Sequence, residues 1–305
     1  MIAEAYDVAL SKSLSWRIAA RGVLADYLSL TKPRILLLLL ITEFGAMIAA
    51  ARGWPGMSLT LAALAGGALS AGGAAAVNCW FDRDIDAVMA RTCTRPVPSG
   101  RIAPANALFF GIGLGLAGFL LLAVATNLLA ATLALMGGLF YVLIYTMWLK
   151  RSTSQNIVVG GAAGAFPPLV GWAVVTGSIT LPALALFAVI FFWTPPHFWS
   201  LALLLRLQYR EAGVPMLPVV ASDAETRRSI LVYLVVLLAV SLAPGIWLGP
   251  VYTAGAAALG GAFIWLALRG LSATGLRWAS RLFHFSLAYL ALLFGLAAVG
   301  GILSH

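Results

Sequence analysis

Asn78, Asp82 and Asp86 recur at intervals of four within Asn78-Cys79-Trp80-Phe81-Asp82-Arg83-Asp84-Ile85-Asp86. On an α-helix such residues stand on one face, each about 6 Å above the last. They form a ladder of oxygen ligands. Carboxylates without histidine or cysteine suit a hard cation such as Mg2+, which usually completes its shell with water and a substrate's phosphates. Arg91, Thr94, Arg95, Ser99 and Arg101 follow directly, and all carry donors for phosphate oxygens. The spacing therefore predicts a metal-bridged phosphate ligand. Asp84 lies about 200° around the helix from Asp82 and is expected to face a loop cation or solvent.

The elements that must position these residues are membrane helices. Of 305 residues only 10% are charged and 62% are hydrophobic, whereas a soluble domain carries about 25% charge. Nine apolar stretches approach the roughly 20 residues a crossing needs: 34–52, 57–81, 105–125, 127–149, 157–176, 180–205, 229–248, 252–270 and 284–303. With the N-terminus inside, 18 of the 19 Lys and Arg fall on one side and only Arg52 on the other. The prediction is an all-α polytopic membrane protein, nine transmembrane helices around a central cavity, with a cytoplasmic N-terminus. It forms a single domain over 1–305, with 1–30 lying along the cytoplasmic surface. Beside that surface, clustered acids are costly, which favours a functional ladder over a solvated charged loop.

The net charge of +9 would suggest a nucleic-acid partner in a soluble protein; here it follows the bilayer, and no nucleic acid is expected. Two cysteines, Cys79 and Cys93, exclude a disulfide-stapled fold. Glu4, Asp7 and Asp26 argue against a signal peptide and against an acid-poor transit segment. Nucleotide-binding loops, a Ser-His-Asp order and zinc spacings are absent, which removes ATP-driven, hydrolase and dehydrogenase readings. A secondary transporter would also use glycine-interrupted helices and a few intramembrane acids, but its site would lie near the midplane. These acids and arginines gather at one surface.

Four further features stand inside the apolar stretches. His197 follows Pro195-Pro196 at a depth where imidazole needs a cavity or a partner. Glu43 fits either a neutral hydrogen-bonded core group or a cavity wall. Tyr141 and Tyr145 share a face just before Lys150 and Arg151. The pairs Gly66-Gly67, Gly72-Gly73 and Gly160-Gly161 read as close helix packing.

The Asn78-Asp82-Asp86 word at the end of the second stretch resembles the first aspartate-rich motif of the UbiA-type intramembrane prenyltransferases. Neighbouring words resemble that family's heme-farnesylating branch, the heme O synthases, from about residue 28 to 230 and in order. They are Thr31-Lys32-Pro33-Arg34, Met89-Ala90-Arg91-Thr92 through Arg95-Pro96, Tyr145-Thr146 through Leu149-Lys150-Arg151, and Gln155-Asn156-Ile157 through Gly164. Trp193-Thr194-Pro195-Pro196-His197-Phe198-Trp199 and Ala212-Gly213-Val214-Pro215-Met216-Leu217-Pro218 follow. The last two separate the heme branch from relatives acting on quinone precursors or chlorophyllides.

The resemblance implies attack of a protoheme IX vinyl group on a farnesyl cation derived from farnesyl diphosphate, with water completing a hydroxyethylfarnesyl side chain. Diphosphate leaves with Mg2+. It implies catalytic roles for Asn78, Asp82, Asp86 and His197, and metal ligation by Asn78, Asp82, Asp86 and Glu211. Diphosphate binding is expected from Lys32, Arg34, Arg91, Arg95, Lys150, Arg151, Gln208, Tyr209 and Arg210. Further expected partners are the lipid bilayer and a downstream heme A synthase or terminal oxidase assembly, in a bacterial plasma membrane in preference to a mitochondrial inner one. One departure matters. The family pattern has an aspartate where this chain has Gln208, and Glu211 is the nearest acid. Eleven residues, close to three helical turns, separate His197 from Gln208, which predicts one shared face with the two about 16 Å apart.

Overall fold

The computed structural model describes residues 22–304, all helix and connecting loop with no strand among them; the placement expected for 1–21, with Lys12, Arg17 and Arg21, lies outside the described residues. The elements are α1 (22–30), α2 (Pro33–Ala51), α3 (Met57–Phe81), α4 (Arg83–Val88), α5 (Pro104–Ala125), α6 (Leu128–Ser152), α7 (Asn156–Thr176) and α8 (Leu181–Leu204). Then come α9 (Arg206–Glu211), α10 (Leu217–Val220), α11 (Asp223–Leu242), α12 (Gly245–Leu271) and α13 (Arg277–Leu303). Among the described residues, eight helices are long and apolar enough to cross a membrane: α2, α3, α5, α6, α7, α8, α12 and α13.

The seventh expected stretch, 229–248, falls mainly in α11, whose 20 residues open with Asp223, Glu225, Arg227 and Arg228. With four charges in its first six residues α11 is not among the eight helices above, and 243–248 pass through a turn into the start of α12. The first turn of α11 is built for water, with Ser222 and Glu225 forming a reciprocal capping box. The helix ends before Pro244. Gly249, between the expected stretches 229–248 and 252–270, takes a non-helical conformation at φ 78, where a side chain would be strained, and kinks α12 ahead of Pro250.

Small residues set the helix spacing. A Cβ at Gly73 would lie 2.6 Å from Gly111 O, and one at Gly118 would lie 2.6 Å from Ser70 N. The α3 and α5 backbones thus touch along their length, which fixes the helix that carries the acid ladder. Gly72 rests on Thr31, and Gly161 on Thr194. Packing explains these glycines. α2 lies against α7 and α13, and α8 against α7, α11 and α13. Inside stand Tyr252, Phe263, Tyr289 and Phe294; Phe109, Val124 and Leu181 point outward, as lipid-facing side chains do.

Candidate active site

α3 ends at Asp82 (φ −82, ψ 10) and α4 begins one residue later, yet Asp82 N–H donates to Asn78 O at 2.9 Å and Asp86 N–H to Asp82 O at 2.8 Å. The i, i+4 ladder survives the joint. Asp82 and Asp86 are 1% and 3% exposed, so their charges are desolvated and require partners. Each has one. Lys150 Nζ lies 2.5 Å from Asp82 Oδ2, and Arg151 Nη2 3.5 Å from Asp82 Oδ1. Arg95 Nη1 lies 2.7 Å from Asp86 Oδ2. Asn78 Nδ2 donates to Asp82 Oδ2 (2.7 Å) and to Thr146 Oγ1 (3.0 Å), while its Oδ1 accepts from Lys32 Nζ at 2.5 Å.

Lys32 holds a left-handed backbone, φ 55 and ψ 61, immediately before Pro33. For a non-glycine residue this costs on the order of 1–2 kcal/mol. The strain turns the chain from α1 into α2 as the ammonium reaches Asn78. Lys32 Nζ also lies 3.5 Å from the Tyr141 hydroxyl.

Residues 140–149 of α6 are wound as a π-helix. In an α-helix Tyr141 and Thr146 would point about 140° apart. The i→i+5 winding brings them to one face, so Tyr141 reaches Lys32, Thr146 reaches Asn78, and Lys150 reaches Asp82. Tyr141 and Tyr145 stack at 5.7 Å, as their spacing predicts. Thr146 has no counterpart in the spacing argument, which assumed α-helical periodicity.

Asp84 keeps 60% of its side chain exposed and pairs with Arg151 at the end of α6, a cation of the site. Arg151 grips both its oxygens at 2.7 Å and holds its carboxyl below the usual range, at about 2. Three other cations stand outside the ladder's ion pairs. Arg101 binds Asp26, Ser99 and the Thr94 carbonyl, so these donors tie α1 to the loop and leave the carboxylates to others. Arg206 is taken by Asp223 and holds the start of α11. Arg34 is exposed at the first turn of α2. His197 and Gln208 lie on two helices, α8 and α9, joined at Leu205 (φ −111, ψ 17).

α9 brings the second segment to the first. Gln208 Oε1 accepts from Arg91 N–H at 3.3 Å. Tyr209 is buried among Ile85, Met89, Val214 and Met216, and burial pushes its phenol pKa up. Arg210 and Glu211 are exposed; Glu211 lines a cleft of about 320 Å³ with Asp84, Arg151 and Gly213. Among the described residues no three of His, Cys, Asp and Glu converge as a metal-ligand set.

His197 lies deeper. Its ring is sandwiched between Trp193 (centroids 4.3 Å) and Phe283 (4.9 Å), and Nδ1 is 2.6 Å from Ser286 Oγ. Trp193 Nε1 donates to Ser286 O at 2.9 Å, so α8 and α13 clamp the imidazole from both sides. Nε2 has no partner among the described residues. Glu43 is buried, its Oε1 has no hydrogen-bond partner among the described residues, and its carboxyl lies against Gly67.

The model of the UbiA prenyltransferase family matches residues 38–293. The chain belongs to this family. Curated UbiA relatives named protoheme IX farnesyltransferase include one from Gloeobacter violaceus, 54% identical over 90% of this chain and 90% of its own length. Another, from Roseiflexus sp. (strain RS-1), is 51% identical over 91% of this chain and 52% of its own; the chain thus spans about half the length of some curated relatives it matches. Among solved structures, a UbiA homologue from Archaeoglobus fulgidus bound to GPP and Mg2+ superposes with a TM-score of 0.65 over 90% of this chain and 99% of that one, at 16% identity. The UbiA fold is shared although most side chains differ.

Proposed function

We propose that this UbiA-family protein transfers the farnesyl group of farnesyl diphosphate to a vinyl group of protoheme IX, with addition of water, giving heme O and diphosphate. The observation that carries the transfer chemistry is the buried cluster in which Asn78, Asp82 and Asp86 meet Lys32, Lys150 and Arg95. The heme acceptor and the farnesyl length rest on the relatives' names and on the His197 segment.

The donor set fits Mg2+. Asp82, Asp86 and the Asn78 carbonyl are oxygen ligands, and two carboxylates completed by substrate phosphates are the usual way this ion is held. When bound, the ion would neutralise charge on the departing diphosphate. The Archaeoglobus homologue carrying GPP and Mg2+ supports this assignment. Glu211 is proposed as an outer acid of the same mouth, reached across the cleft beside Arg151.

Lys32, Lys150, Arg95 and Arg151 now rest on Asn78, Asp82, Asp84 and Asp86. An arriving diphosphate offers these cations stronger anionic oxygens, so they exchange partners and stabilise the leaving group as the allylic C–O bond breaks. Arg91, Tyr209 and Arg210 are proposed as further diphosphate contacts, with Gln208 tying α9 to the loop after the ladder. The apolar bundle below keeps bulk water from the farnesyl cation. His197 would meet the heme through Nε2, either as an axial ligand or as acceptor of the proton released when water adds.

A single domain over 1–305 with a cytoplasmic N-terminus puts the cluster at the cytoplasmic face of a bacterial plasma membrane. A heme A synthase or terminal oxidase assembly would consume the product. The decisive experiment expresses the chain in cells lacking heme O and reads extracted hemes by mass spectrometry. Appearance of the hydroxyethylfarnesyl heme supports the proposal; a prenylated product on another aromatic acceptor, or substrate flux without covalent change, overturns it.

A further inference from the structure

Asn156 opens α7 and is fully buried, yet neither its amide nitrogen nor its amide oxygen has a hydrogen-bond partner among the described residues. Its backbone N–H is satisfied by Thr153 O at 3.3 Å, so the anomaly lies in the side chain. Buried polar atoms are nearly always paired, because an unpaired one loses hydration and gains nothing. Several other buried side chains keep one such atom, but Asn156 is the one with two.

Its surroundings show what it could meet. One turn along α7, on nearly the same face, Gly160 lies so close under the Tyr145 ring that a Cβ there would collide with it. The next residue, Ile157, packs with Ile85 and Met89, which flank Asp86, and with Tyr209 of the second segment. The first turn of α7, which carries the orphaned amide, is thus packed against the π-wound end of α6, the acid ladder's flank and α9. The charge exposed to a ligand there belongs to the cations that grip Asp82 and Asp86, so the incoming group is an anion with acceptor oxygens.

We propose that the Asn156 amide contacts the diphosphate group: Nδ2–H donates to a phosphate oxygen, and a water held by that group donates to Oδ1. The inference rests on the prenyl diphosphate reading above. An amide without protein partners is then a group kept for the ligand, at a cost in stability to the unliganded fold.

That cost supplies the test. Asn156→Leu keeps the approximate volume and removes both polar atoms, and Asn156→Ala only removes atoms. Detergent-purified full-length chains would be titrated with inorganic diphosphate in Mg2+ buffer and melted without ligand. The expected result is a melting temperature at or above wild type with diphosphate affinity lowered about tenfold or more, the scale of a hydrogen bond to a charged group. Where the leucine branch does not fit, the alanine variant decides by the same criterion. Undiminished affinity in a folded variant overturns the inference. Absence of diphosphate binding by the wild type would overturn the prenyl diphosphate reading itself, so the two failures are told apart.

Discussion

Lys150 and Asp82 stand 68 residues apart on different helices, and their charged groups meet at 2.5 Å with the carboxylate 1% exposed. Breaking such a pair on one side strands the other charge, which typically costs about 3–5 kcal/mol, whereas removing both sides is far milder. Asp82→Asn is therefore expected to lose both turnover and thermal stability. Adding Lys150→Met should return most of the stability and none of the activity. Thermal melts and prenyl transfer measured on both variants check this; an active double variant would remove Asp82 from the chemistry.

His197 separates two roles by geometry. Its ring is held by Trp193, Phe283 and Ser286, while Nε2 stays unpartnered. His197→Ala is expected to abolish heme farnesylation and to shift or weaken the heme Soret band, with farnesyl diphosphate affinity nearly unchanged. Ser286→Ala removes the Nδ1 contact together with the hydroxyl's bond to Phe283 O. It should cost about 1 kcal/mol of stability and a partial loss of activity. Parallel loss of heme binding, diphosphate affinity and stability in His197→Ala would instead make the histidine a packing residue.

The α3–α5 contact is the mechanical support of the ladder. A Cβ at Gly73 would come within 2.6 Å of backbone atoms of both Gly111 and Gly115, which cannot move aside as a side-chain tip can. Gly73→Ala should destabilise the protein by about 1–3 kcal/mol, the usual scale of overpacking. Gly113→Ala, where nothing stands within 4 Å, should be neutral. Melting curves of the pair measure the difference directly.

Periodicity made the ladder and the glycine packing legible, because both depend only on spacing along regular helices. It failed where the backbone leaves the α-helix. Thr146 joins the site through π-winding, which no residue type in Phe140–Leu149 announces. Gln208 lies beyond a helix joint at Leu205, between two segments that together read as one helix. Arg101 and Arg206 were legible as cations, but their partners Asp26 and Asp223 lie 75 and 17 residues away, and charge alone does not choose among acceptors. The orphaned amide of Asn156 is visible only once burial and every neighbour's hydrogen bonds are known.

The last prediction concerns Gln208, which carries an amide where the family pattern carries an aspartate. Its Oε1 accepts from the Arg91 N–H at 3.3 Å and so links α9 to the loop that follows the acid ladder. A shorter aspartate would keep an acceptor oxygen within reach of small backbone adjustments and would add a negative charge beside Arg91 and Arg95. Gln208→Asp is therefore expected to preserve folding and to lower the Mg2+ concentration needed for half-maximal activity, since a carboxylate can help hold a divalent ion where a neutral amide contributes no charge. Gln208→Leu removes the acceptor altogether; it should loosen the loop, seen as faster proteolysis between Arg91 and Arg101, and reduce turnover at every Mg2+ concentration. Mg2+ titrations of wild type and both variants separate the two effects: an unchanged Mg2+ requirement in Gln208→Asp, with normal activity in Glu211→Gln, would mean that the second segment positions the loop and takes no part in holding the ion.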